Sequence, residues 1–228
     1  MKSLIKTGLA ALVLLLAISC KKENTIIQSP VSTDVSSSQT DKIPQVTIGT
    51  QIWMTKNLNV RNYRNGDPIP RVDGPSQWSN LTTGAFCWYN NDTDTGYIYG
   101  RLYNWYAVID PRGLAPVGWH IPSDSEWTTL ITFLGGELVA GGKMKETGTT
   151  HWLPPNVYAT NSSGFAALPG GFRYLHAEYL ELGSAGNWWS TTEQNSKAYG
   201  RVLYNNADYI SRSVFYKFSG ISVRCIKD

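Results

Sequence analysis

The order of the hydrophobic patterns constrains the fold of this chain more than any other feature. Two helical faces lie close together mid-chain, and a long stretch cut by Gly and Pro follows. Leu102, Trp105, Tyr106 and Ile109 fall at i, i+3, i+4 and i+7, which predicts a helix that Pro111 stops. Ser123-Asp124-Ser125-Glu126 is a capping box, with Ser123 as N-cap and Glu126 at N3. Trp127, Leu130, Ile131 and Leu134 then form the apolar face, and Gly135-Gly136 ends it. Lys143-Met144-Lys145 marks a short third helix. From Trp152 onward, Pro154-Pro155, Gly164, Pro169-Gly170-Gly171, Gly183 and Gly186 divide short runs. Trp188-Trp189-Ser190, Ala198–Tyr204 and Val214–Phe218 read as strands. Ile221–Ile226 alternates and reads as a terminal strand with one buried face. Ahead of the helices, Gln45–Met54 alternates around Gly49-Thr50 as a hairpin. Asn57–Gly84 reads as loop, and Ala85–Tyr89 as a buried strand. Helices followed by mostly antiparallel strands make an α+β chain, not an α/β one. No internal repeat of fixed period is present.

The first residues address the chain to an export route. Lys2 and Lys6 precede the ten-residue apolar run Leu9–Ile18, then Ser19 and Cys20. A spanning helix needs about twenty residues, so residues 1–19 read as a signal peptide that is removed. Leu16-Ala17-Ile18-Ser19-Cys20 resembles a bacterial lipobox, which implies that Cys20 is lipidated and becomes the mature N-terminus. Several acyl chains on one cysteine would hold the protein stably at a membrane. Lys21, where an inner-membrane retention signal would place Asp, points to the outer membrane, on its periplasmic or extracellular face. Residues 20–44 read as a lipidated cysteine and a disordered tether. Of the twenty-four residues 21–44, eight are Ser or Thr. Such a segment has an end-to-end distance of roughly 25–30 Å.

Residues 45–228 suffice for one domain with a full core. Nine Trp and thirteen Tyr with only 16% charged residues fit an exported, largely β domain. The formal charge of +3 falls to +1 once Lys2 and Lys6 are removed, and nothing in that balance points to a nucleic-acid partner or an acidic substrate, so no nucleic acid is expected. Beyond Cys20, only Cys87 and Cys225 remain. In an exported chain they are candidates for a disulfide, worth up to about 5 kcal/mol in the chain-entropy model. The alternative is a pair of small buried hydrophobes.

Seven separated motifs lead to a family. They are Thr47-Ile48-Gly49-Thr50-Gln51-Ile52-Trp53 with Asn57-Leu58-Asn59; Cys87-Trp88-Tyr89-Asn90-Asn91-Asp92; Gly100-Arg101-Leu102-Tyr103-Asn104-Trp105; and Gly118-Trp119-His120-Ile121-Pro122-Ser123 with Glu126-Trp127. Gly164–Arg173, Trp188-Trp189-Ser190-Thr191-Thr192-Glu193 and Ser222-Val223-Arg224-Cys225 complete the set. In this order they resemble the Fibrobacter succinogenes major paralogous domain, a family abundant on exported lipoproteins of Bacteroidetes and Fibrobacteres. The resemblance implies a C-type lectin-like fold, shared with formylglycine-generating enzymes. Two main helices would pack on a twisted, mostly antiparallel sheet, the chain ends would meet, and long irregular loops within roughly 143–196 would carry a ligand site.

Candidate chemistry is sparse. Asn90, Asp92 and Asp94 alternate as oxygen ligands that suit Ca²⁺, but Thr95 and Arg101 break the EF-hand template, and an Asx-rich turn between a strand and a helix is the favoured reading. The acid-bearing triplets with which calcium-dependent lectins hold sugar are absent. So is the cysteine pair with which formylglycine-generating enzymes bind copper. His120, His151 and His176 make no helical zinc pair, and His120 reads as a structural histidine. No cofactor other than Ca²⁺ is implied. Trp152, Trp188 and Trp189, with Glu193 beside them, are candidates to stack on and bond a sugar ring. Trp188 and Trp189 are adjacent on a strand, so one faces the core and the other the surface or a covering loop. Arg173 and Arg224 read as structural donors. The expected function is a surface binding or adhesion module for glycan or protein. The rival expectations are an enzyme with an unrecognised loop site and a structural envelope component.

Overall fold

The computed structural model describes residues 43–228. The proposed signal peptide, Cys20 and all but the last two residues of the tether lie outside the described residues. The fold is mixed α+β. The opening hairpin forms as its alternation predicts: β1 (Gln45–Ile48) pairs antiparallel with β2 (Gln51–Met54), and Gly49 at φ 62° makes the turn. A short helix, α1 (Pro75–Ser79), interrupts the expected loop. β3 (Phe86–Cys87) pairs with β4 (Leu102–Tyr103) across helix α2 (Thr93–Tyr99). The helix expected from Leu102 shrinks to one turn, α3 (Trp105–Val108). Leu102 is taken by the β3–β4 pair, and Asn104 caps the turn by accepting from the Ala107 N–H at 3.1 Å. β5 (Trp119–His120) leads into α4 (Asp124–Phe133).

The capping box on α4 is complete. The Ser123 hydroxyl accepts from the Glu126 N–H at 3.3 Å, and Glu126 accepts from the Ser123 N–H at 2.7 Å. Gly135 and Gly136, both at positive φ, end α4 and start α5 (Glu137–Met144). This third helix starts earlier than Lys143, because Gly141-Gly142 lies inside it rather than breaking it.

The second half forms a five-stranded sheet in the order β10-β9-β8-β6-β7: β6 (Gly170–Arg173), β7 (Tyr179–Leu182), β8 (Ala185–Gln194), β9 (Lys197–Tyr204) and β10 (Ile210–Tyr216). All pairings are antiparallel except β6 with β8. β11 (Ile226–Lys227) joins β1, β2 and β5 in a second sheet, so both ends of the domain meet there. The expected terminal strand with one buried face is corrected: all of Ile221–Ile226 is buried. The segment threads between the sheets, bridging Tyr103 on one side and Trp188 on the other.

The β8 sheet is covered on both faces. Trp189 packs with Tyr103, Trp105, Phe215 and Val223. Trp188 packs with Trp127, Met144, Trp152 and Phe165. The buried polar side chains tie this core together. Asn57 Oδ1 accepts from Trp188 Nε1 at 2.9 Å and Arg224 Nη2 at 2.8 Å, and Arg224 also donates to the Met54 and Phe165 carbonyls. Arg173 donates to the carbonyls of Val72, Asp73 and Ala177 and lies over Trp78 at 4.6 Å. Both arginines are the structural donors the sequence suggested. No helix among the described residues is long and apolar enough to cross a membrane.

Candidate functional site

The tryptophans proposed as sugar platforms are not surface groups. Trp152, Trp188 and Trp189 are each 0% exposed. Trp152 Nε1 donates to the Ala167 carbonyl at 2.9 Å and Trp189 Nε1 to the Tyr103 carbonyl at 2.8 Å. The alternation rule is obeyed, since the two neighbours face opposite ways. Both faces of the sheet are covered, so neither indole reaches solvent. Glu193 is exposed and pairs with Lys217.

Cys87 and Cys225 are free, buried thiols in different clusters, so the expected bridge is corrected to the two-hydrophobe alternative. Burial raises their pKa values to about 11 and about 12. Asn90, Asp92 and Asp94 are exposed, and Asp92 caps α2 by accepting from the Asp94 N–H at 2.9 Å. Among the described residues, no group of three or more His, Cys, Asp and Glu is placed to hold a metal ion.

The histidines are engaged by carboxylates. His120 bonds Asp228 through Nδ1 at 2.7 Å and Glu126 through Nε2 at 2.8 Å. Burial lowers its pKa, but the two carboxylates outweigh burial and raise it overall. His151 bonds Glu146 at 2.7 Å. No serine or cysteine among the described residues is hydrogen-bonded to a histidine ring.

The surface feature with the most construction behind it lies around α5. A cleft of about 360 Å³ is lined by Val139, Gly142 and Lys143 of the helix, Tyr158, Thr160 and Ser162 of the following loop, and Asp208 of the β9–β10 turn. A second hollow of about 310 Å³ shares Lys143 and Ser162 and runs on to Phe133. Three exposed aromatics flank this groove: Tyr158 at 74%, Phe133 at 63% and Tyr209 at 41%.

Both walls are brought in by the glycine pair. A Cβ on Gly141 would sit 2.5 Å from the Tyr209 carbonyl oxygen, and one on Gly142 would sit 2.7 Å from that of Tyr158. The Gly142 N–H donates to the Asp208 carbonyl at 2.9 Å, and its carbonyl accepts from the Thr160 N–H at 2.8 Å. Beneath them lies Lys145, 0% exposed. Its ammonium donates to the carbonyls of Val157 at 2.8 Å, Tyr204 at 3.0 Å and Ala207 at 2.6 Å. One side chain thus holds the loop and the turn together. Burial lowers its pKa to about 8, opposed by the charge of Asp208.

The loop is a built platform. Asn156 donates to the Glu146 and Gly148 carbonyls at 2.9 and 2.6 Å. Asn156, Tyr158, Asn161 and Ala166 all take positive φ. Such conformations cost of order 1–3 kcal/mol each and persist only where surroundings impose them. At Tyr158, φ 54° accompanies a ring left largely in solvent.

The comparisons agree with the motifs. The profile of the Fibrobacter succinogenes major domain matches residues 46–227. The chain belongs to this family. No curated protein and no solved structure matches it. The motif residues Asn57, Trp188, Arg173 and Arg224 are core ties, whereas the cleft at α5 is lined by residues outside the seven motifs, and only its continuation reaches Thr47, Ile48 and Gly49 of the first. Tyr158, Thr160 and Ser162 fall within the loop region 143–196, and Asp208 lies beyond it. One signal could have found Tyr158: it is the lone aromatic in residues 154–163, seven of which are Pro, Asn, Thr or Ser.

Proposed function

We propose that the α5 groove is a saccharide-binding site, and that the domain is a binding module of C-type lectin-like type carried on an exported lipoprotein at the outer membrane. Exposed Tyr158, fixed on a latched loop beside Asp208, Lys143, Thr160 and Ser162, carries the reading. An aromatic face suits the apolar face of a pyranose, and nearby acids, amines and hydroxyls suit its hydroxyls. The continuation past Ser162 to Phe133 gives room for more than one sugar unit. The meeting of the domain ends at β2 and β11 supports the lectin-like comparison, and fold analogy alone carries that part.

The test is a glycan array probed with the full-length protein in mild detergent, wild type beside Tyr158→Ala, with and without EDTA. Selective binding lost in Tyr158→Ala at unchanged melting temperature supports the site. Binding that Tyr158→Ala retains moves the site elsewhere. No binding to any glycan, with capture of a cell-surface protein that depends on Tyr158, turns the groove into a protein-docking site. Sensitivity to EDTA would return Asp92 and Asp94 to consideration.

A further inference from the structure

A second cluster lies apart from the groove, where the β3–β4 pair meets α2. Trp88 follows β3 and lies so close to α2 that a Cβ on Gly96 would fall 2.0 Å from its ring. Two guanidiniums share this indole. The central carbon of Arg71 is 4.3 Å from the ring centroid and that of Arg101 is 5.4 Å, so the two are at most 9.7 Å apart. Arg101 also lies over Phe86 at 4.6 Å and is anchored by the backbone carbonyl and side-chain oxygen of Asn59. Arg61 adds a third charge whose field bears on Arg101.

The arrangement is poorly compensated. Arg71 pairs with Asp73 at 2.7 Å. Among the described residues, neither Arg61 nor Arg101 has a carboxylate within 4 Å. Arg101 Nε is buried and has no hydrogen-bond partner. A half-buried cation beside two like charges is destabilising unless something neutralises it. Guanidiniums present planar forks of donors and accept nothing, which matches an oxyanion.

We propose that Arg71 and Arg101, held over Trp88, together with the charge of Arg61 acting on Arg101, form a binding site for a tetrahedral oxyanion, the sulfate or phosphate ester of a larger ligand. The aromatic faces hold Arg71 and Arg101 in place before the ligand arrives, which reduces the ordering that binding requires. Asp73 orients Arg71 and leaves the cluster with two net positive charges.

The experiment titrates the full-length protein with inorganic sulfate and phosphate at constant ionic strength, chloride being the balancing salt. Arginine Nε–H NMR signals and tryptophan fluorescence are the readouts. The expected result is saturable movement of the Arg71 and Arg101 signals with either oxyanion and none with chloride. The Arg61→Gln/Arg71→Gln double variant changes exposed residues only, and it should weaken binding by about tenfold or more, while Arg71→Lys loses less. Glucose 6-sulfate and glucose 6-phosphate, with glucose as control, separate the two ester sources. The tighter of the two identifies the ester. Equal response to chloride would overturn the site, as would unchanged affinity in the folded double variant. Binding of the free ions with no binding of either ester would overturn the ester assignment.

Discussion

Gly141→Ala tests how the groove is built, because local propensity and packing predict opposite signs. Gly141 lies inside α5, and a Gly to Ala change within a helix ordinarily stabilises by about 1 kcal/mol. Here the new methyl would stand 2.5 Å from the Tyr209 carbonyl oxygen and 2.6 Å from that of Asp208. Both are backbone atoms of the β9–β10 turn. That turn cannot retreat freely, since the Asp208 carbonyl accepts from the Gly142 N–H and the Ala207 carbonyl accepts from buried Lys145. Relief requires a shift of about 1 Å, to reach ordinary contact distance. Overpacking of this kind costs about 1–3 kcal/mol, and each strained hydrogen bond adds about 1 kcal/mol. After the propensity gain, the net loss is about 2 kcal/mol. For a domain of this size that lowers Tm by about 4–8 °C. The assay is thermal unfolding followed by tryptophan fluorescence, with amide hydrogen exchange reporting on 205–209. A variant as stable as the wild type, or about 1 kcal/mol more stable, would refute the close approach.

Other consequences follow from the same contacts. Lys145→Met keeps the length of the side chain but leaves the carbonyls of Val157, Tyr204 and Ala207 without their donor. It should cost about 3–5 kcal/mol and raise hydrogen exchange at 156–163 and 205–209 together, as mass spectrometry would show. Cys87 and Cys225 should both react with a thiol reagent only after unfolding, and the intact mass under non-reducing conditions should correspond to two free thiols. The pKa of His120 is raised in the fold, so its stabilisation is full below about 6.5 and is lost as pH rises through the folded value. That of Glu126 is lowered: burial alone would raise it, but the Ser123 N–H and His120 prevail, so its contribution is lost as pH falls through the folded value. His120→Asn should therefore flatten the alkaline side of a stability–pH profile and leave the wild-type decline above 6.5 absent.

The sequence was most legible where local chemistry and tertiary contact agree. The Ser123 capping box and the hairpin at Gly49 are complete in short stretches of chain, and they form as written. Legibility failed where a pattern had two readings. Leu102, Trp105, Tyr106 and Ile109 fit a helical face, yet Leu102 belongs to a strand pair and Ile109 is 46% exposed. Gly141-Gly142 looks like a break, but it is the point where two backbones approach a helix. The short run Thr93–Tyr99, with Gly96 inside it, hides α2, because its cap at Asp92 can equally mark a turn. The groove was the least legible part. The alternation of Trp188 and Trp189 leaves one of the two indoles for an outer face of the sheet, and only the tertiary arrangement covers that face. Tyr158 is exposed through its backbone conformation and the latches of Asn156 and Lys145, which no local pattern encodes.

The most direct test of the groove as a saccharide site is amide NMR mapping of the full-length protein with a panel of neutral pentasaccharides. A saccharide site in this groove predicts saturable shifts confined to 139–143, 158–163 and 207–209, abolished by Tyr158→Ala. Shifts clustered elsewhere on the surface, or no saturable shift with any pentasaccharide in a folded sample, would contradict it.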